Sequence, residues 1–514
     1  MQLGFVIDHS RCIGCHACTV ACKSENDVPV GSFRTWVKYT ETGQFPAVKR
    51  SYAVLRCNQC TSAPCVSICP VVALHKRPDG IVDIDSSACV GCKGCLQACP
   101  FDAIYINDAT GIAEKCHFCA HRVEQQLAPA CAVVCPTEAI IPGDFDDPGS
   151  VVSRLRKEHE LTARKVEAGT GPNVLYRDVA PAGIQPLTTQ GAGGYLWADQ
   201  RPTPQLQAQA FAATQVGELA PTARTTYDVD HVPMWGGKIT AYLLTKSIAA
   251  GSFLAAMGLL PPFTDAAPSW SGALVLPVVA MIFLLATLAL LVLDLKRPER
   301  FLYILMRPNW SSWICKGSII LTGFAVMLTA WIGLGIAGAI PGGALGGVLS
   351  VVTGILAVLS ATYTAWLFGQ AHGRVLWMSR GLWWTLLSQA LTAGGATLLL
   401  LDPLFDFPES SMTIGRLLLG GGLALHLIFL LLESKMAPKG REKEFARVCA
   451  LIHQGPYKQR FWIHGVIAGI ILPLGFTLLP ATPVLLVVAS VLALYGLWHL
   501  EDILVRAGQA LPIS

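Results

Sequence analysis

Eighteen cysteines occur in the chain, and sixteen of them fall between Cys12 and Cys135, where their spacing repeats. Cys12-x2-Cys15-x2-Cys18-x3-Cys22 and Cys89-x2-Cys92-x2-Cys95-x3-Cys99 are two copies of one run. Cys57, Cys60, Cys65 and Cys69 repeat it with a longer middle gap, and Cys116, Cys119, Cys131 and Cys135 stretch that gap further. At this spacing a short loop wraps three thiolates around an iron–sulfur cubane, and the fourth thiolate reaches a second cluster. The distant ligand ties two segments together, so cluster binding and folding are coupled. A lone C-x2-C pair is more often a zinc site, but zinc gives no reason for the full run to occur twice beside two variants. The sixteen thiolates divide into four [4Fe–4S] sites of four with none over. Cys315 and Cys449 read as ordinary helix or loop cysteines. Disulfides lack support, because the start MQLGFVIDHSRC shows no signal peptide.

The elements that must position these cysteines are short. GIVDIDSSAC and FDAIYINDATG read as brief strands running into turns or cysteine loops. VVSRLRKEHELTARKV reads as an amphipathic helix and GTGPNVLYR as irregular. Residues 185–232, rich in Gln, Thr, Ala, Pro and Gly, read as a linker or surface-wrapping segment.

Beyond this point the chain changes character. Its composition is 53% hydrophobic and only 14% charged, with mean hydropathy +0.49, well below the roughly 25% charge of soluble proteins. Apolar stretches near 238–260, 272–293, 314–337, 345–370, 382–401, 414–433, 462–480 and 482–506 each approach the ~20 residues that a bilayer core requires. The expected fold is an α+β ferredoxin-like [4Fe–4S] domain (1–184), a linker (185–234) and an all-α eight-helix transmembrane bundle (235–514). Loops on the side of both termini carry fourteen Lys and Arg, whereas the opposite loops carry none. The positive-inside rule then puts the cysteine domain on the cytoplasmic side of a prokaryotic inner membrane. A net charge of +4 without a long basic run gives no reason to expect nucleic acid.

Residues 1–180 resemble the four-cluster ferredoxin-type subunits of molybdopterin oxidoreductases, the group that includes dimethyl sulfoxide, polysulfide and formate enzymes. CIGCHACTVACKSEN, CNQCTSAPCVSICP, CVGCKGCLQACP and CHFCAHRV…PACAVVCPTEAI carry the resemblance, and GTGPNVLYR is similar to the family's usual ending. The resemblance implies four ligand sets: Cys12, Cys15, Cys18 with Cys135; Cys116, Cys119, Cys131 with Cys22; Cys57, Cys60, Cys65 with Cys99; and Cys89, Cys92, Cys95 with Cys69. Residues 235–514 resemble the polysulfide-reductase-type, NrfD-like anchors through LDLKRPERFLYILMRPNWSSW, SATYTAWLFGQAHGRVLW and EDILVRAGQALPIS. That resemblance implies an eight-helix quinone-reactive protein. In relatives the two halves are usually separate chains. No paired histidines stand out across the helices, so no haem is expected.

A quinone site needs hydrogen-bond partners for two carbonyls and a proton route, and polar side chains inside spans are functional candidates. Trp235, Lys238, Tyr242 and Lys246 share one face of the first span. Lys238 reads as a snorkelling lysine, and Trp235, like Trp383 and Trp384, as an interfacial belt residue. Tyr363, Gln370 and His372 follow in or just past the fourth span, and His426 reads equally well as a packing histidine. Asp294, Arg297 and Arg300 read as structural at least as much as catalytic. Tyr242, Lys246 and Tyr363 are the preferred quinone residues.

The resulting expectation is a redox module exchanging electrons between a separate Mo/W bis-pterin catalytic subunit and quinone/quinol in the lipid bilayer. Cytoplasmic orientation favours a sulfite-oxidising partner by analogy. A cytochrome-linked complex without molybdenum is the alternative, and so is an ion-translocating subunit, although no acidic residue lies mid-span.

Overall fold

The computed structural model describes residues 1–190, 223–229, 233–259, 274–339, 343–480 and 482–514. Most of the stretch read as a linker, 191–222, thus lies outside the described residues, as do residues 260–273.

Leu3–Asp8 is an almost unbroken apolar run and is buried along its whole length, which suits a central strand. It pairs antiparallel with Ile140–Asp144 and parallel with Val174–Arg177, whose other edge carries Thr162–Ala163. The segment GTGPNVLYR is therefore a strand in its second half. Val174 and Tyr176 are fully buried there, and the pairing partner lies almost the whole domain away in sequence, where local pattern gives no warning. A second sheet is built on the hairpin Thr35–Thr42 and Lys49–Arg56, with Trp36 opposite Leu55. Ala223–Tyr227 adds to the hairpin's edge, and Thr189–Gln190 adds beyond it. Both described ends of the stretch read as a linker are therefore sheet strands of the cysteine-rich half. Val82–Ile84 and Ile104–Asn107 close two-stranded ribbons with Leu74–Lys76 and Ile112–Lys115. The amphipathic helix spans only Val151–Glu158, with the Ser153 N–H donating to the Ser150 hydroxyl that caps it.

Among the described residues, eight helices are long and apolar enough to cross a membrane: Gly237–Met257, Leu276–Asp294, Trp313–Ile336, Ala344–Gly369, Leu382–Leu401, Ser410–Leu431, Arg460–Leu478 and Pro483–Gly508. Glycine lets two pairs of backbones touch, as lipid-embedded helices favour. A Cβ on Gly251 of the first span would fall onto the Ala390 carbonyl of the fifth, and Gly469 and Gly496 meet where the last two spans cross.

The two halves dock through the ends of the spans. Asn309 Nδ2 donates to the Cys69 carbonyl at 2.7 Å, Ser312 Oγ to that of Ile68 at 2.6 Å, and Arg300 Nη1 to that of Cys89 at 2.9 Å. Lys93 pairs with Asp294 at 2.8 Å. Gly373 brings its N–H to the Gln97 carbonyl at 3.1 Å, an approach that leaves no room for a Cβ. Several basic residues counted for orientation, Arg300 and Arg374 among them, thus also serve docking. Trp235, read as a belt residue, is instead buried at this junction and stacks on Phe368 and Trp377. Lys238 remains exposed and donates to the Leu293 carbonyl at 2.8 Å.

Candidate functional site

The cysteine loops share a backbone device. The residue two positions after the first cysteine is left-handed in all four: Gly14 (φ 71°), Gln59 (46°), Gly91 (66°) and Phe118 (61°). A second left-handed residue follows three positions after each Cys-Pro cysteine: Val72, Asp102 and Glu138. Such turns point successive N–H groups inward and make anion-binding concavities. The Ala139 N–H, for example, donates to Cys135 Sγ at 3.2 Å. Left-handed non-glycine residues cost about 1–3 kcal/mol each, and they persist where a site over-determines them.

The loops gather the cysteines into cages, each built from two distant segments. Cys12, Cys15, Cys18 and Cys135 line the outer cavity; Cys22, Cys116, Cys119 and Cys131 line a second; Cys69, Cys89, Cys92 and Cys95 line a third cavity, on the membrane side. Cys57, Cys60, Cys65 and Cys99 form one more group, close enough to interact electrostatically. A zinc ion would draw its thiolates to within ~2.3 Å of one point. Among the described residues no group of three or more His, Cys, Asp or Glu is placed to hold a single metal ion. Four sulfurs around an open cavity fit a cubane better than an ion.

The cages follow one another in a line. Cys18 of the outer cage lies beside Cys131 of the second, Cys116 of the second beside Cys57 of the next, and Cys65 beside Cys95 of the membrane-side cage. Burial pushes up the thiols of Cys18, to about 11, and Cys92, to about 12, so cluster binding must displace protons from them. Arg56 sits between the first two cages. Burial alone opposes its charge, but the sulfurs of Cys131, Cys116 and Cys18 outweigh that and hold its pKa above the ordinary value. The membrane-side cage lies directly over the docking contacts of Asn309 and Arg300.

Below that junction the three preferred membrane residues come together. Tyr242 and Tyr363 share a hydrogen bond of 2.6 Å, and Tyr242 shares another of 2.6 Å with Thr364. Lys246 Nζ donates to Thr364 Oγ1 at 2.6 Å and lies over both tyrosine rings. Gly317 of the third span makes room, since a Cβ there would enter the Tyr363 ring. Thr364 was not among the residues expected from sequence, although it adjoins Tyr363 in SATYTAW. Glu501 is fully buried in the last span. It lies within electrostatic range of Lys246 and Tyr242, with the Ser247 side chain beside its carboxyl. Gln370 instead ties two spans together, accepting from the Trp313 N–H at 2.9 Å and donating to the Ser311 carbonyl at 2.8 Å. His426 is buried with Nδ1 unpaired. No paired histidines stood out in the sequence, but His464 and His499 lie side by side on the last two spans, their ring centroids 5.0 Å apart. His464 Nδ1 is bonded to Tyr495 at 2.7 Å.

Cysteine cages docked on an eight-helix apolar bundle define a membrane-anchored iron–sulfur electron-transfer protein. The chain belongs to the polysulphide reductase NrfD family, which matches residues 225–512, and its N-terminal half contains a 4Fe-4S dicluster domain at 48–145. Its cysteine-rich half is similar to iron–sulfur subunits that stand alone. A subunit of the tetrathionate reductase of Salmonella typhimurium is 44% identical over 190 residues, covering 36% of this chain and 76% of that one. One chain of the polysulfide reductase of Wolinella succinogenes is 36% identical over 187 residues, 36% of this chain and 98% of that one. The arsenate respiratory reductase iron-sulfur subunit of a Shewanella species is 37% identical over 224 residues, 34% of this chain and 96% of that one. The chain thus fuses an iron–sulfur electron-transfer subunit with a multi-pass membrane anchor.

Proposed function

We propose that the chain carries electrons through four [4Fe–4S] clusters between a separate catalytic chain and quinone in the bilayer. The observation that carries this reading is the line of four cysteine cages ending on the membrane helices. Bound in the cages, the clusters supply one-electron steps. The chain's own residues order them, shield them and present the last to the bundle. The division is an iron–sulfur domain at 1–184, a connection at 185–234 and a quinone-interacting domain at 235–514.

At the outer end Cys15 is exposed, and Ile13, Val20 and Val133 are exposed on the segments that form or neighbour that cage. That surface suits the docking of a partner chain, which we assign as a Mo/W bis-pterin subunit from the family resemblance. The names of the relatives support a partner acting on sulfur compounds or other oxyanions, with sulfite the first donor to test. At the membrane end Tyr242, Tyr363 and Lys246 offer two hydroxyls and an ammonium to quinone carbonyls, and two-electron quinone reduction takes up two protons. Glu501 adds a proton-exchanging carboxyl beside Lys246. Trp235 lies just before the first span and Phe368 about one turn after Thr364 on the fourth, so their stack leads from the docking junction to the site. No haem is part of this reading. The basic loops support an iron–sulfur domain on the cytoplasmic side of the inner membrane.

Metal analysis of the complex purified from its source in mild detergent tests the reading. A large partner containing molybdenum or tungsten is expected. Haem or flavin chains without either metal would overturn it in favour of a cytochrome-linked complex.

A further inference from the structure

Arg56 is 0% exposed and Lys115 2% exposed, and among the described residues neither meets a carboxylate. Arg56 donates to Cys131 Sγ at 3.2 Å and lies 4.4 Å from the Phe5 ring centroid, with Nε and Nη2 unpaired. Lys115 donates to the carbonyls of Val82 and Cys116. A buried cation without an anion is strongly disfavoured, so two of them inside one small domain require a counter-charge.

Their positions say where that charge is. Arg56 stands between Cys18 of the outer cage and Cys116 and Cys131 of the second. Lys115 stands at the next junction, beside Cys57 of the third cage and the Cys116 carbonyl of the second. Two other cations that line the cages are neutralised by the protein itself. Arg34, against the second cage, pairs with Glu114 at 3.1 Å, and Lys93, against the membrane-side cage, pairs with Asp294 at 2.8 Å. At the two junctions, by contrast, positive charge is left for an anionic group in the cages to balance.

We propose that Arg56 and Lys115 are redox-positioning residues: fixed buried cations that raise the potentials of the clusters on either side of them. The inference rests on the four-cluster reading. A cluster gains negative charge when reduced, so a nearby cation in a low-dielectric interior favours the reduced form and raises the potential. Arg56 acts on the outer and second clusters, Lys115 on the second and third. The cluster at the membrane helices, whose lysine is already paired, stands outside both effects.

Redox titration of the purified full-length chain, followed by electron paramagnetic resonance, tests this. Arg56→Gln is expected to lower two of the four midpoint potentials and Lys115→Gln to lower two. One cluster should be common to both pairs and shift furthest in the double variant. Arg56→Lys and Lys115→Arg should leave the potentials near wild type. Unmoved potentials in fully loaded Gln variants would overturn the proposal, as would equal shifts in the charge-keeping variants. Iron and acid-labile sulfide are assayed alongside. Loss of clusters from the Gln variants alone still requires the positive charge, whereas equal loss from the Lys and Arg replacements assigns the side chains to packing and overturns the proposal. Fewer than four cubanes in the wild-type chain would defeat the four-cluster reading itself, a result independent of the variants.

Discussion

Each cysteine loop turns on a left-handed residue two positions past its first thiolate, and only two of those four residues are glycine. That contrast marks the limit of what residue types reveal. Gly14 and Gly91 could be read as turn residues, whereas Gln59 and Phe118 adopt the same conformation with no compositional signal. The spacing of the sixteen cysteines was legible because it is local. The assignment of Cys22, Cys69, Cys99 and Cys135 to the opposite segment came from family resemblance, since spacing alone leaves the pairing open. At this scale Cys99→Ser should remove one cluster, read as a loss of about a quarter of the iron by metal assay. Lys246→Met and Tyr363→Phe should each lower quinone-linked turnover by about 10²-fold while leaving cluster content unchanged, the loss typical of a group that handles protons in the rate-limiting step. Glu501→Gln should do the same and Glu501→Asp less, measured as quinone-linked turnover across pH. Equal losses in the Gln and Asp variants would remove the carboxyl from the proton route.

Among the elements, apolar length sufficed to locate eight spans, because a bilayer leaves few alternatives to a helix of about that size. The small sheets were less legible. Val174–Arg177 is four residues long and takes its longer pairing from a strand at the start of the chain, which local pattern does not foretell. Glycine contacts between spans were visible as composition but not as partners. Gly317→Ala tests one of them: the added methyl must displace the Tyr363 ring, so turnover should fall although no hydrogen-bonding group is changed. Gly251→Leu should be worse, separating the first and fifth spans and costing at least about 1–3 kcal/mol as overpacking does. A lower midpoint of thermal aggregation in detergent would report it.

In the whole molecule, the fusion sets the distance between the last cage and the membrane site by side-chain contacts between the halves. Arg300, Asn309, Ser312 and the Lys93–Asp294 pair hold the membrane-side cage on the bundle. Loop charge therefore has two causes here, orientation and docking, and the sequence could not separate them. Reduction of the isolated chain by dithionite, followed by a quinone analogue under anaerobic conditions, tests the central claim most directly. Visible absorbance reports the clusters. Reoxidation of all of them, with one quinone consumed per two electrons and strong slowing in Lys246→Met, is the predicted result. Clusters that stay reduced in the wild-type chain while a small soluble oxidant reoxidises them would contradict the account, because electrons would then have no route from the cages into the membrane.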